Sequence, residues 1–255
     1  MKIVRTVTEV REAVEPFSEL GLVPTMGAFH EGHRSLFAAA RTESDAVVAS
    51  LFVNPAQFGS GEDLDRYPRD EERDVTLAEQ AGVDFLFAPS AGEMYPPGYE
   101  TWVDVEELGQ ALEGEFRPGH FRGVATVCCK LFNIVRPRRA YFGQKDAQQA
   151  AVVKRVVADL NLDVEIRVLP TIRDEDGLAL STRNAYLSPE EREAALALPR
   201  ALATKDPEAA RGLLQGLDVD YVEVAELDGQ RVLAAAVRVG RTRLIDNIVL
   251  KGDEK

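Results

Sequence analysis

Two histidines, three positions apart, stand in the run Pro24-Thr25-Met26-Gly27-Ala28-Phe29-His30-Glu31-Gly32-His33. The run follows an apolar strand-like segment, turns at a glycine and opens into a helix near His33. Imidazoles at that spacing can approach one anion, and the backbone N–H groups at a helix start favour negative charge. Gly32 carries no side chain, so a nucleotide base or ribose can lie close to the backbone there. The chemistry such a set supports is recognition of a phosphate-bearing ligand.

Three further polar clusters follow apolar runs. In Leu51-Phe-Val-Asn54-Pro55-Ala56-Gln57-Phe58 the amides of Asn54 and Gln57 leave the end of a buried strand. Amides both donate and accept, which suits a ligand with hydroxyls and a carboxylate. In Phe142-Gly143-Gln144-Lys145-Asp146-Ala147-Gln148-Gln149 a glycine turn leads into a helix. A helix start favours Asp146 and disfavours Lys145, so the lysine points to a bound anion. Gln149 lies one helical turn beyond Lys145 on the same side. In Asp176-Gly-Leu-Ala-Leu-Ser181-Thr182-Arg183-Asn184, two hydroxyls and a guanidinium make a phosphate site. The stretch Glu113-Gly-Glu-Phe-Arg117-Pro-Gly-His120-Phe-Arg122-Gly123 has the glycine, proline and aromatic content of a lid. Within it His120 either touches a nucleotide or only orders the loop. Arg136-Pro-Arg-Arg139 reads as a solvated basic turn.

These clusters need elements to hold them. Ile3-Val4, 20–24, 46–53, 83–87, 140–142 and 164–169 read as short buried strands. Thr6 with Glu9 is a capping box for a helix to about Phe17. Helices are also expected over 34–41, 69–81 (stopped by Gly82), 123–135 and 145–160. Strands alternating with helices imply βαβ units and a parallel sheet covered on both faces. Ligands of such sheets bind beyond the carboxyl ends of the strands, where the clusters above fall. The grammar changes after about Arg173. Ser188-Pro-Glu-Glu and Asp206-Pro start helices. Segments 220–226 and 231–239 flank a Leu-Asp-Gly-Gln turn and predict a hairpin, and 243–250 predicts a third strand.

Composition narrows the function. The chain has 255 residues, 45% hydrophobic and 29% charged, as in globular proteins. Its net charge of −13 disfavours broad binding to nucleic acid or anionic lipid, while leaving room for a local anion pocket. No stretch approaches the ~20 apolar residues of a membrane helix. The N-terminal Met1-Lys-Ile-Val-Arg5 lacks a signal-peptide h-region, so a cytoplasmic location is expected. Cys128 and Cys129 lie in an apolar helical pattern and read as buried small side chains.

Strand, loop, His-x-Gly-His and helix together resemble the nucleotidylyl-transferase superfamily. The wider Pro-Thr-Met-Gly-Ala-Phe-His-Glu-Gly-His run, Phe52-Val-Asn-Pro-x-Gln-Phe58 and Asp176-Gly-Leu-Ala-x-Ser-Thr-Arg-Asn184 are similar to signatures of one member family, the pantoate–β-alanine ligases. Thr182 stands where that family commonly has a second serine, and Gln144 where it commonly has glutamate. The resemblance implies a Rossmann-like α/β domain over 1–175 binding ATP and pantoate. A small α+β domain over 176–255 would follow, contributing the Ser-Thr-Arg segment. It implies ATP-dependent condensation of pantoate with β-alanine through a pantoyl adenylate. His30, His33 and Lys145 are then the catalytic candidates, with His33 the better donor to the leaving group. Met26, Gly27, His30, His33, Gly143, Lys145, Asp146, Ile172, Ser181, Thr182 and Arg183 would contact ATP; Asn54, Gln57 and Gln149 would contact pantoate or β-alanine. Mg²⁺ is expected to accompany ATP. Arg73-Asp74 aligns with a pair of carboxylates in some members, so Asp74 is the candidate magnesium contact. A homodimer is the family expectation. Two other classes stay open: a related transferase adenylating a phosphate monoester or mononucleotide, and a non-catalytic ATP-binding module.

Overall fold

Strands covered on both faces read as continuous apolar runs. The computed structural model, which describes residues 1–250, has strands where those runs fall. β1 (Lys2–Val4), β2 (Leu20–Val23), β3 (Ala46–Ser50), β4 (Phe85–Phe87), β5 (Arg139–Gly143) and β6 (Glu165–Leu169) form one sheet in the order β1-β4-β3-β2-β5-β6. β1 runs parallel to β4, β4 to β3, β3 to β2 and β2 to β5. Every residue of β2 and β3 is buried. The strand order turns around β2, with β3 on one side and β5 on the other, so the end of β2 is the sheet's switch point.

Against these strands the helix Glu31–Glu43 packs Leu36, Phe37 and Ala40 onto Val23, Val47, Ala49 and Leu86. Burying a side chain of this size contributes roughly 1.5–3 kcal/mol. Phe29, at the end of the histidine run, meets Phe37 edge to face with centroids 5.1 Å apart. The loop is thereby anchored in the core it leaves. The strand expected over 46–53 ends at Ser50, because Leu51 N–H donates to Phe87 O and Phe52 N–H to Thr25 O. Those bonds turn the chain out toward Asn54.

Residues 1–142 and 152–169 form one compact unit; residues 143–151 and the chain from Pro170 onward form a second. The sequence reading divides the chain once, between 175 and 176, whereas the contacts group 143–151 and 170–175 with the second unit. Hydrogen bonds within that unit account for it. Asn247 holds the carbonyls of residues 144 and 145, and Arg173 bridges Ala179 in a small hairpin.

The second unit has its own sheet, β7 (Asp218–Leu227), β8 (Gln230–Val239) and β9 (Thr242–Val249), antiparallel in that order. Asp228 (φ 53°) and Gly229 (φ 74°) are both left-handed, as a two-residue hairpin turn requires. Helices Pro189–Ala195, Ala197–Leu202 and Pro207–Leu213 accompany the sheet, and Leu198, Leu202, Leu214, Val222, Leu233 and Val237 form the core. The middle helix escapes a sequence reading because Pro199 sits inside it. Pro199 is in its first turn, where the missing N–H has no intrahelical partner to lose. No helix among the described residues is long and apolar enough to cross a membrane.

Candidate functional site

The first unit carries the histidines. At the end of β2, Thr25 N–H donates to Ser50 Oγ (3.0 Å) and the Thr25 hydroxyl donates to Ser50 O, tying the loop to β3. Gly27 (φ 88°) and Ala28 (φ 52°) then turn the chain through the left-handed region. A Cβ on Gly27 would lie 2.5 Å from Leu51 Cδ1 and 2.8 Å from Asp74 Oδ2, so a side chain there meets both strain and collision. Asp74, on helix Glu71–Gln80, is 1% exposed. Its Oδ2 accepts the Ala28 N–H and its Oδ1 the Phe29 N–H, each at 2.7 Å. Burial holds this carboxyl above its ordinary pKa, against the opposing pull of the two amides. Asp74, the candidate magnesium contact, has each oxygen taken by one backbone amide, so what it does in this geometry is hold the histidine loop. Among the described residues no three His, Cys, Asp or Glu side chains converge as a metal site.

His30 is the N-cap of helix Glu31–Glu43. Its Nδ1 accepts the Gly32 N–H at 3.1 Å, and His33 Nδ1 accepts the His30 N–H at 3.3 Å. The arrangement is a capping box with imidazoles in place of the usual hydroxyl and carboxylate. A ring nitrogen that accepts carries no hydrogen, so each neutral ring holds its proton on Nε2. The rings lie 4.2 Å apart between centroids. A Cβ at Gly32 would fall 2.8 Å from His30 Cε1, so the glycine makes room for the cap. The result is a pair of Nε2–H donors at a helix start.

Beside them, Asn54 is 1% exposed and satisfied by protein: Nδ2 donates to Gln57 Oε1 (3.0 Å) and Gly123 O (3.2 Å), while Oδ1 accepts from Tyr95 OH (2.8 Å) and Ala56 N–H (3.3 Å). Asn54 therefore orients Gln57, whose Nε2 donates to Met26 Sδ at 3.2 Å. Burial pushes the Tyr95 hydroxyl well above its ordinary pKa, so it stays a donor to Asn54. His120 is buried, with Nδ1 2.9 Å from Gln57 O and Nε2 3.1 Å from Arg117 Nη1. Because the guanidinium only donates, Nε2 accepts and Nδ1–H donates to Gln57 O. Burial, then the Arg117 charge, pushes the His120 pKa down to about 4. Of its two readings the loop-ordering one is what this geometry supports. Arg117 in turn makes two 2.8 Å contacts with Glu62, whose carboxylate lies below its usual range: burial raises it, but Arg117, His120 and the Gly59 backbone together outweigh burial. The segment read as a lid is thus fastened to residues 57–62.

In the second unit, Gly143 leads into the 3₁₀ turn Gln144–Asp146, followed by helix Ala147–Asp159. Lys145 therefore sits one turn before the α-helix, with Nζ 3.5 Å from Asp146 Oδ1. Gln149 is half-buried on the helix. Asn247 Nδ2 donates to Gln144 O (2.9 Å) and Lys145 O (2.8 Å), and Gln144 Nε2 donates to Asn247 Oδ1 (3.2 Å). Ile172, exposed, begins the hairpin that Leu180 N–H closes onto Ile172 O at 2.9 Å. Ser181 Oγ caps the 3₁₀ turn Thr182–Tyr186 by accepting the Arg183 N–H at 3.3 Å. Arg173 donates to both oxygens of Asp246 (2.6 and 3.0 Å) and to Gly177 O (3.1 Å).

The candidate residues thus divide between the units. Met26, Gly27, His30, His33, Asn54, Gln57 and Asp74 belong to the first, and Gly143, Lys145, Asp146, Gln149, Ile172, Ser181, Thr182 and Arg183 to the second. Sequence reasoning missed the residues that hold them: Tyr95, Arg173, Asp246 and Asn247. A signal existed for the last two, since a polar pair inside Leu244-Ile-Asp-Asn-Ile-Val is unusual for a buried strand. Cys128 is buried, its thiol pushed by burial up to about 12, which makes it inert.

A model of the pantoate-beta-alanine ligase family matches residues 2–249. The chain belongs to this family. The pantothenate synthetase of Acetivibrio thermocellus is 49% identical, with 98% of this chain and all of that protein aligned. That of Chloroflexus aurantiacus is 51% identical, with both chains covered in full. Among solved structures, pantothenate synthetase from Thermus thermophilus superposes with a TM-score of 0.94 at 47% identity, covering 97% of this chain and 99% of that one. The pantoate-beta-alanine ligase of Francisella tularensis, solved complexed with beta-gamma ATP and beta-alanine, gives 0.87 at 33% identity, with 98% and 97% covered. The parallel sheet and the small antiparallel one are those of pantothenate synthetase structures. The Acetivibrio alignment runs over 280 positions, so that relative carries segments this shorter chain lacks.

Proposed function

We propose that the chain condenses (R)-pantoate with β-alanine at the expense of ATP. The observation that carries this reading is the family match along residues 2–249, over which every cluster singled out above is present in order. The pantoate carboxylate attacks the α-phosphorus of ATP and displaces pyrophosphate. The β-alanine amine then attacks the acyl carbon of pantoyl adenylate and releases AMP. Neither step needs a covalent enzyme nucleophile. Catalysis is then positioning and stabilisation of developing charge.

In this reading the Nε2–H donors of His30 and His33 meet the triphosphate, with His33 serving the departing pyrophosphate. Lys145, Ser181, Thr182 and Arg183 offset phosphate charge. Met26, Gly27, Gly143, Asp146 and Ile172 line the nucleotide site. Gln57, with one Nε2 hydrogen on Met26 Sδ, turns its other toward pantoate, and Gln149 takes the opposite polar group. Asn54 and Asp74 act behind these residues, on Gln57 and on the histidine loop. Mg²⁺ would be held by the phosphates of ATP and by water, in keeping with its reluctance to dehydrate, and would offset charge on the departing pyrophosphate. The working form is a cytoplasmic homodimer.

The test is pantoate-dependent exchange of labelled pyrophosphate into ATP, with Mg²⁺ and without β-alanine. Exchange that requires pantoate supports the adenylating half-reaction and its acid. ATP binding without exchange sinks the reading, and trials of mononucleotide acceptors then separate a related transferase from a non-catalytic module. Lys145→Ala is expected to lower exchange by orders of magnitude with the melting temperature retained; full exchange removes the role given to Lys145.

A further inference from the structure

β9 carries two consecutive buried polar residues, Asp246 (2% exposed) and Asn247 (5%). Successive side chains of a strand leave on opposite faces, so two neighbours reach two different segments. Asn247 takes the carbonyls of Gln144 and Lys145 with both hydrogens of its amide, and its Oδ1 accepts from Gln144 Nε2. Asp246 takes the guanidinium of Arg173 with both carboxylate oxygens, and Arg173 reaches on to Gly177 O within the hairpin that delivers Ser181. Asp246 Oδ1 also accepts the Asn247 N–H at 2.8 Å, which locks the pair. β9 touches both 3₁₀ turns, 144–146 and 182–186. A buried amide and a buried carboxylate would each be costly without partners. Here each is used to fasten a segment bearing a cation.

We propose that Asp246 and Asn247 are positioning residues that set the Lys145 turn and the Ser181–Arg183 turn in register with one another. The inference rests on the proposed function for the roles of Lys145 and Arg183, but the register itself is a property of the fold. Lys145 has a long flexible side chain, and its reach is defined only if its backbone is held. Two hydrogen bonds to adjacent carbonyls from one planar amide define it. A single strand step then places both anion-binding turns.

The discriminating variants are Asn247→Ala and Asn247→Asp, with Asp246→Asn as the second arm. If Asn247 only fills space, the amide protection of residues 143–150 survives both substitutions. If it holds the turn, aspartate is worse than alanine, because a carboxylate then faces two carbonyl oxygens. The expected kcat for pantoate-dependent exchange falls on the order of tenfold to a hundredfold in Asn247→Ala, further in Asn247→Asp, and also in Asp246→Asn. The readout independent of catalysis is amide hydrogen exchange by mass spectrometry. The peptide spanning 143–150 loses protection in both Asn247 variants, while peptides from the 196–202 and 233–237 core keep it. Unchanged protection at 143–150, or Asn247→Asp milder than Asn247→Ala, overturns the proposal. If wild type binds ATP yet shows no exchange, the functional reading fails alone, and the hydrogen-exchange arm with ATP affinity still decides the positioning role.

Discussion

Protonating His120 must break one of its two buried contacts, and the cost sets a pH dependence for the first unit. In the folded chain its pKa is about 4, against 6.5 for the exposed group. A histidine with a depressed folded pKa binds its proton more readily in the unfolded chain. Its stability contribution is therefore full above pH 6.5 and is lost as pH falls toward 4. Between pH 8 and pH 5 the linkage integral gives a loss of about 2 kcal/mol, since each pH unit inside that window carries ~1.36 kcal/mol. His120→Asn is the informative substitution, since Asn Nδ2 stands near the position of Nδ1 and can still donate to Gln57 O, yet does not titrate. The assay is urea unfolding at several pH values followed by fluorescence of the single tryptophan, Trp102, which lies in the same unit. Wild type should lose about 2 kcal/mol more than His120→Asn across that range, with the urea slope unchanged. Parallel stability curves for the two proteins, or an NMR titration placing His120 near its ordinary value, would refute the reasoning.

Three other outcomes follow from the geometry. Asp74→Asn puts an amide where a carboxylate accepted two N–H groups, and should cost about 1–3 kcal/mol in unfolding experiments; if holding the loop is its whole role, the Mg²⁺ concentration giving half-maximal exchange should stay unchanged, and a marked rise would show that it serves the metal as well. Gly32→Ala drives a methyl into the His30 ring, so it should cost about 1 kcal/mol of helix capping by thermal melt and slow pyrophosphate exchange; an unaltered exchange rate would show that the His30 cap is dispensable. Gln57→Ala should raise the KM for pantoate with little effect on that for ATP, and Asn54→Ala should do the same through Gln57, so the double variant should be no worse than the more severe single one; additive effects would mean that Asn54 acts independently.

How far the chain could be read from residues alone differs between strand, helix start and support. The parallel strands were legible because doubly covered strands leave unbroken apolar runs, such as Ala46-Val-Val-Ala-Ser50. The β7–β8 hairpin was legible because Asp228-Gly229 allows two successive left-handed residues. The helix after the histidines was expected from Arg34 but begins at Glu31. Its cap is an imidazole, a residue type that carries no cap signal, so the histidines hid the very helix start that shapes them. The candidate residues at strand ends are visible as polar groups in glycine turns. Their supports are not. Asp74 lies 46 positions from Ala28 and Asn247 lies 103 from Gln144. No local pattern joins residues at such separations.

The discontinuity of the second unit bears on how the protein can be made or exchanged in parts. A ribosome releases the strand carrying Asn247 about a hundred residues after the lysine turn it fastens. Contacts closing so long a loop form late, since the loss of chain freedom precedes any gain. The first 142 residues can therefore settle while Lys145 is still unheld, and the lysine turn is fastened only when the last strand arrives. For the same reason the C-terminal portion is not a cassette. A graft that swaps residues 176–255 between relatives exchanges the clasp without the turn it clasps, and a chimera that works must match residues 143–151 to the strand that holds them.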